Sequence, residues 1–122
     1  MIISDVEYHL VLLPSAGLVP DDKIKSDLAI IIPDVLLQYR GGVKLLAITR
    51  DHVHVHFSSS PDVAPKEMAD TLIRETSVRL VRVNEKLKGY DRVFLDTFLV
   101  KTGAKPTKGQ IRDFIQISIT GV

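Results

Sequence analysis

Residues 51–57 read Asp-His-Val-His-Val-His-Phe and hold three of the chain's four histidines at a spacing of two. Because side chains alternate between the two faces of a β-strand, a strand here turns all three imidazoles to one face and Val53 and Val55 to the other. The valine face is suited to packing on a hydrophobic core. Imidazoles are common ligands of divalent metals, so the histidine face is a candidate site for chemistry.

The segments on either side of this stretch alternate between strand and helix patterns. Apolar residues that recur every three or four positions predict helices, and short apolar runs between turn residues predict strands. The predicted elements are a strand at 6–13, a helix at 21–39, strands at 43–49 and 52–58, a helix at 65–86, a strand at 93–101 and a short helix at 109–117. The turn Arg50-Asp51 is short enough to make the two middle strands a hairpin.

The order β-α-β-β-α-β-α predicts an α+β fold, a ferredoxin-like or RRM-like antiparallel sheet with its helices packed on one face. One domain over residues 1–122 accounts for the whole length. We expect Pro33 to kink or split the first long helix, since it lacks a backbone donor. Thr107 is the expected N-cap of the last helix. Residues 117–120 alternate like a strand, and the sequence leaves open whether they continue that helix.

Composition excludes several classes of protein. The 16 basic and 15 acidic residues give a net charge of +1, so any nucleic-acid-binding surface must be local. The absence of cysteine excludes disulfides and thiolate zinc sites, and it is compatible with the cytoplasmic location that we expect. The longest apolar run, residues 28–32, is too short to span a bilayer, and the N-terminal residues do not resemble a signal peptide.

The segment from Arg50 to Val55 resembles the Pro-Asp-His-[Val/Ile]-His-Leu signature of the single-tyrosine HUH transposases of small insertion sequences. Further segments resemble that family's motifs and fall in the same order along the chain. These segments are Tyr-His-Leu-Val at 8–11, Leu-Ile-Arg-Glu-Thr-Ser-Val-Arg-Leu at 72–80, Phe-Leu-Val-Lys-Thr-Gly at 98–103 and Ile-Arg-Asp-Phe-Ile at 111–115. The resemblance therefore covers nearly the whole chain.

This resemblance implies a homodimer that acts on single-stranded DNA next to a hairpin. In that family the two signature histidines and a glutamine bind Mg²⁺ or Mn²⁺, which polarises the scissile phosphate. A tyrosine on the last helix attacks the phosphorus and forms a 5′-phosphotyrosine bond. Carried over to this chain, the resemblance makes His52 and His54 the expected metal ligands.

The chain departs from the family at the residues that carry the reaction. Phe114 occupies the position of the nucleophilic tyrosine, and a phenyl ring has no oxygen with which to attack phosphorus. Ser118 stands where the family has its ligand glutamine, whereas Gln116 is expected to face elsewhere on the helix. The family's basic loop is replaced by Pro-Ser-Ala-Gly-Leu at 14–18. We therefore expect a transposase-family protein that is impaired or inactive in strand cleavage.

Other residues have both a functional and a structural interpretation. His56 is a candidate third ligand, or else a hydrogen-bonded structural histidine; His9 is a candidate partner that orients a ligand histidine. Tyr90 is a candidate substitute nucleophile, since it lies in a predicted loop. The cations expected either to contact DNA phosphates or to form a solvated helix face are Arg74, Arg79, Arg82 and Lys86.

Three rival functions remain compatible with the sequence alone. One is an active transposase whose tyrosine has been changed to Phe114. Another is a metal-dependent hydrolase or metal-binding module that uses His52, His54 and His56. The last is a ferredoxin-like interaction domain in which these histidines only pack.

Overall fold

The computed structural model describes residues 6–38 and 41–120, so Tyr39, at the end of the predicted first helix, lies outside the described residues. All seven predicted elements are present in the predicted order. They are β1 (Val6–Pro14), α1 (Asp22–Leu37), β2 (Gly42–Ile48), β3 (Val53–Ser59), α2 (Pro65–Val83), β4 (Phe94–Lys101) and α3 (Lys108–Thr120), with a 3₁₀ turn at Glu85–Leu87. None of the helices in this described part has the length and apolarity that crossing a membrane requires.

The four strands form one antiparallel sheet in the order β2-β3-β1-β4. The predicted α+β, ferredoxin-like sheet is therefore confirmed. Val53, Val55 and Phe57 of β3 turn to one face, are buried, and belong to a core that includes residues of α1 and α2. The other face carries the histidines. Only α1 and α2 form the layer on the core face; α3 contributes no buried residue and lies beside the histidine face.

Helix α1 begins where Asp21 accepts a hydrogen bond from the backbone N–H of Ile24 at 2.8 Å, which satisfies one of the free donors of the first turn. The helix continues past Pro33 to Leu37, so the split considered from the sequence does not occur. The carbonyl that Pro33 leaves without a partner belongs to Ala29, an exposed residue, where water can satisfy it.

The other helix ends differ from the predicted bounds by a few residues. Helix α2 ends at Val83 because Asn84 accepts a hydrogen bond from the N–H of Lys86 at 3.1 Å and starts the 3₁₀ turn. Thr107 is confirmed as the cap of α3: its hydroxyl accepts from the N–H of Gln110 at 3.1 Å, and the Gln110 side chain accepts from the N–H of Thr107 at 2.9 Å. Residues 117–120 continue this helix.

Candidate functional site

The β2–β3 hairpin positions His52. The N–H of Thr49 donates to the carbonyl of His52 at 2.9 Å, which closes the turn at Arg50-Asp51 as expected. Strand β3 starts only at Val53, so His52 lies in the turn and not in the strand row predicted for it. Its Nδ1 is held by the Asp51 carboxylate at 2.8 Å and by the Thr49 hydroxyl at 3.0 Å. The His52 hydrogen bond lowers the pKa of Asp51, and Nε2 is the remaining ring nitrogen.

His9, His54 and His56 form a cluster across β1 and β3. His9 Nδ1 lies 3.0 Å from His54 Nε2, and the His9 ring stacks on that of His56 with centroids 4.1 Å apart. Burial, followed by the neighbouring imidazoles, lowers the pKa of both His9 and His54, so both are uncharged at neutral pH. The contact expected between His9 and a signature histidine is present.

His52 and His54 are the ligands that the family resemblance implies for a divalent metal. His52 and His54 each have one ring nitrogen held by a neighbour, which is how ligand imidazoles are usually oriented. His56 is not brought to them as a third ligand, because it stacks on His9 and contacts Glu7 at 3.3 Å. Within residues 6–38 and 41–120, no three His, Cys, Asp or Glu side chains form a group that could hold a metal ion.

Two imidazoles without a carboxylate are a poor donor set for Mg²⁺ or Mn²⁺, which prefer oxygen ligands. The residues present therefore do not fit the family's metal site. The metal ligand assignment of His52 and His54 stays a prediction.

A groove of about 460 Å³ runs between His52 and α3. Ile111 and Ile115 supply its apolar wall, and the exposed cations Lys108 and Arg112 stand on its rim. Gln116 also lines this groove, contrary to the expectation that it faces elsewhere. A concave surface with apolar walls and convergent positive charges is suited to a phosphodiester chain.

A second groove of about 380 Å³ lies on the other side of Asp51. Ser118 lines this second groove and not the His52 groove, while the half-buried Phe114 lines neither. Successive residues of α3 are rotated by about 100° around the helix axis. The side of α3 that faces His52 carries positions 108, 111, 112, 115 and 116, and positions 114 and 118 therefore point in other directions. The structure therefore does not bring Phe114 or Ser118 into contact with the His52 groove.

Four cations near the histidines were missed in the sequence analysis. Lys101 lies opposite His9 in the strand register, and its charge lowers the pKa of His9. The charge of Lys105, in the loop after β4, lowers the pKa of His54. With Lys108 and Arg112 they surround the histidine face. The available signal was local: residues 101–112 contain these four cations and no acid.

The cations predicted to contact DNA lie on the opposite side of the molecule. Arg74, Arg79 and Arg82 belong to α2, in the layer that covers the core face, and Lys86 follows in the 3₁₀ turn. Arg79 is paired with Asp34 of α1. The structure does not bring these four cations to the histidines, and DNA contact by them stays a prediction about a separate surface.

The tyrosines of the described residues lie away from the His52 groove. Tyr8 is buried on the core face, with its ring 5.8 Å from that of Phe57. Tyr90, the candidate substitute nucleophile, is partly buried against the core. No tyrosine of residues 6–38 and 41–120 lines the groove.

Comparison with solved structures identifies similar folds. The chain matches a crystal structure described as a "putative transposase" from Deinococcus radiodurans R1 with a TM-score of 0.82 and 21% identity, over 94% of this chain and 92% of that one. It also matches a REP-associated tyrosine transposase bound to a REP hairpin with a TM-score of 0.56 and 12% identity, over 95% of this chain and 67% of that one. At these identities, the matches establish the fold alone.

Comparison at the level of sequence families is more decisive. No curated protein matches the chain. The model of the family described as "Transposase IS200 like" matches residues 2–117, which is nearly the full length. The match spans the hairpin with His52 and His54, the cluster with His9, and most of α3. The chain therefore belongs to the IS200-like transposase family.

Proposed function

We propose that this protein binds single-stranded DNA next to a hairpin end and does not cleave it. The observation that carries the proposal is the groove between His52 and α3, which offers cations and an apolar wall, while no tyrosine of residues 6–38 and 41–120 lines it. Membership of a transposase family supports DNA as the partner. The neighbour that is bound to a REP hairpin supports a hairpin end as the form of that DNA.

Binding in the groove follows from the chemistry of its lining. Lys108 and Arg112, both exposed on the rim, supply positive charge for two phosphates of the backbone. His52 supplies a ring nitrogen whose direction is set by the Asp51 contact at Nδ1. Ile111 and Ile115 give an apolar surface for a sugar or a base. None of these interactions requires a metal ion.

Strand cleavage by the family's reaction requires a hydroxyl that attacks phosphorus. Phe114 has none, and it lies outside the His52 groove. Tyr8 is buried in the core, and Tyr90 packs against the core. In this proposal the protein recognises the DNA end that its family processes, and the phosphodiester bond stays intact. The proposal includes a homodimer and a cytoplasmic location, both expected from the resemblance and the composition.

The test is fluorescence anisotropy with three labelled probes: a hairpin with a single-stranded flank, a scrambled single strand and a plain duplex. We expect the flanked hairpin to bind most tightly, with and without Mn²⁺. His52→Ala and Arg112→Gln should weaken binding, whereas Arg82→Gln, which removes the same charge from α2, should leave the single strand's affinity unchanged. Equal and weak binding of all three probes would overturn the proposal.

A further inference from the structure

One row of side chains crosses all four strands on the histidine face. In the strand register Leu45 of β2 lies opposite His56 of β3, His56 lies opposite His9 of β1, and His9 lies opposite Lys101 of β4. Directly opposite residues of antiparallel strands point to the same face, with their Cβ atoms about 5 Å apart. The row therefore continues from a leucine through two imidazoles to a cation.

This row is open to solvent at its β2 end. His9 is only 6% exposed, the His56 side chain is 26% exposed, and Leu45 is 47% exposed. The His56 ring is already fixed by its stacking on His9 at 4.1 Å, so little side-chain entropy remains to be lost on binding. An exposed leucine next to a fixed, partly open imidazole gives a flat surface for another ring.

The charges around His56 favour an uncharged ring over a phosphate. Glu7 Oε1 lies 3.3 Å from His56 Nε2 and 3.3 Å from Lys44 Nζ, and both Glu7 and Lys44 are half exposed. The Lys44–Glu7 pair has no net charge, and the carboxylate next to the His56 ring repels an anion. Nucleobases are neutral and stack on aromatic side chains, which is how single strands are commonly held.

The position of this surface fits a strand held in the His52 groove. His52 and His56 are four residues apart, which is about 13 Å along a β-strand. His52 lies in the turn before β3 and His56 in the middle of that strand, and His54 between them is only 7% exposed, so the two histidines offer separate openings. DNA whose phosphates are held at Lys108 and Arg112 can extend along this face to the second opening.

We propose that Leu45 and His56, flanked by Glu7 and Lys44, form a nucleobase subsite for single-stranded DNA. This subsite, the His56 patch, rests on the proposed DNA-binding function and adds to it a base contact outside the His52 groove. It gives a role to the imidazole at 56, which belongs to no metal-ligand group among the residues that the structure describes.

The experiment compares variants of the full chain by anisotropy with a labelled single-stranded oligonucleotide. Stacking of one base is worth about 1–3 kcal/mol, so His56→Ala should weaken binding roughly 5- to 150-fold. Leu45→Ala should weaken binding in the same direction. His56→Phe keeps an aromatic ring and should retain the affinity. Leu37→Ala removes an exposed leucine from α1, away from the histidine face, and should leave binding unchanged.

A second series moves one abasic nucleotide along the oligonucleotide. We expect one position at which the missing base weakens binding to the wild-type chain but not to His56→Ala, because only that variant has already lost the contact. If the wild-type chain binds and both alanine variants bind equally well, the His56 patch is refuted while the proposed function stands. If the wild-type chain binds no single strand, both fail.

Discussion

Replacing three cations of the segment 101–112 should remove most of the salt dependence of single-strand binding. The perturbation is Lys105→Gln, Lys108→Gln and Arg112→Gln in one chain. These residues lie near His54 or line the His52 groove, and Lys101 lies opposite His9. Arg74→Gln, Arg82→Gln and Lys86→Gln form the matched control, since they remove the same total charge from the opposite side of the molecule.

The magnitude follows from counterion release. Each phosphate contact to a single strand contributes about −0.7 to the slope of log affinity against log salt. Four contacts give a slope of about −2.8, so the wild-type chain should lose about 50-fold in affinity between 50 and 200 mM salt. The triple variant keeps one contact, a slope of about −0.7 and a loss of roughly threefold over the same range.

The assay is anisotropy of a labelled single strand without a hairpin, titrated at several salt concentrations. The control variant should keep the wild-type slope, because its substitutions lie away from the histidine face. A triple variant that keeps the wild-type slope would refute the reasoning. So would a control variant with a reduced slope, which would place the single strand on α2 instead.

Three further predictions concern stability and chemistry. Burial lowers the pKa of His9 and His54 below 6.5, so below pH 6.5 the unfolded chain binds more protons than the native one. The free energy of unfolding should therefore fall as the pH is lowered from about 7.5 through 6.5 toward the lower native pKa values, and equal urea midpoints at about pH 7.5 and about pH 6 would contradict this. The Ser77 hydroxyl accepts from the buried N–H of Val93 at 3.0 Å, so Ser77→Ala should cost about 1–3 kcal/mol of stability; an unchanged urea midpoint would show that the donor finds another partner. Phe114→Tyr should form no covalent DNA adduct on a denaturing gel, because position 114 lies outside the His52 groove, and an adduct there would mean that α3 can reposition.

The strands and helices could be predicted because their signals are local and periodic. Alternation along β3 predicted that Val53 and Val55 face the core, where the structure buries them, and the short turn at Arg50-Asp51 indicated the hairpin. The predicted end of α2 at residue 86 is three residues too late, since the apolar pattern runs on into the 3₁₀ turn that Asn84 starts. These differences are small because tertiary packing and local pattern agree here.

The arrangement of the site could not be predicted in the same way. Which face of the sheet a helix covers depends on tertiary connections, so the sequence did not show that the cations of α2 lie on the side of the sheet opposite the histidines. The direction of each α3 side chain depends on how the helix is rotated about its axis. That rotation places Gln116 in the His52 groove and Ser118 in the neighbouring one. The family resemblance indicated which positions of the sequence belong to the site, but the contacts between these residues could be seen only in the structure.

We propose above that this family member holds a DNA end without cutting it. The most direct measurement incubates the chain with a labelled hairpin that carries a single-stranded flank, in the presence of Mn²⁺, and resolves the products on native and denaturing gels. We expect a retarded complex on the native gel and intact, unattached DNA on the denaturing gel. A covalent protein–DNA adduct or a cleaved strand would contradict it, as would the absence of any complex.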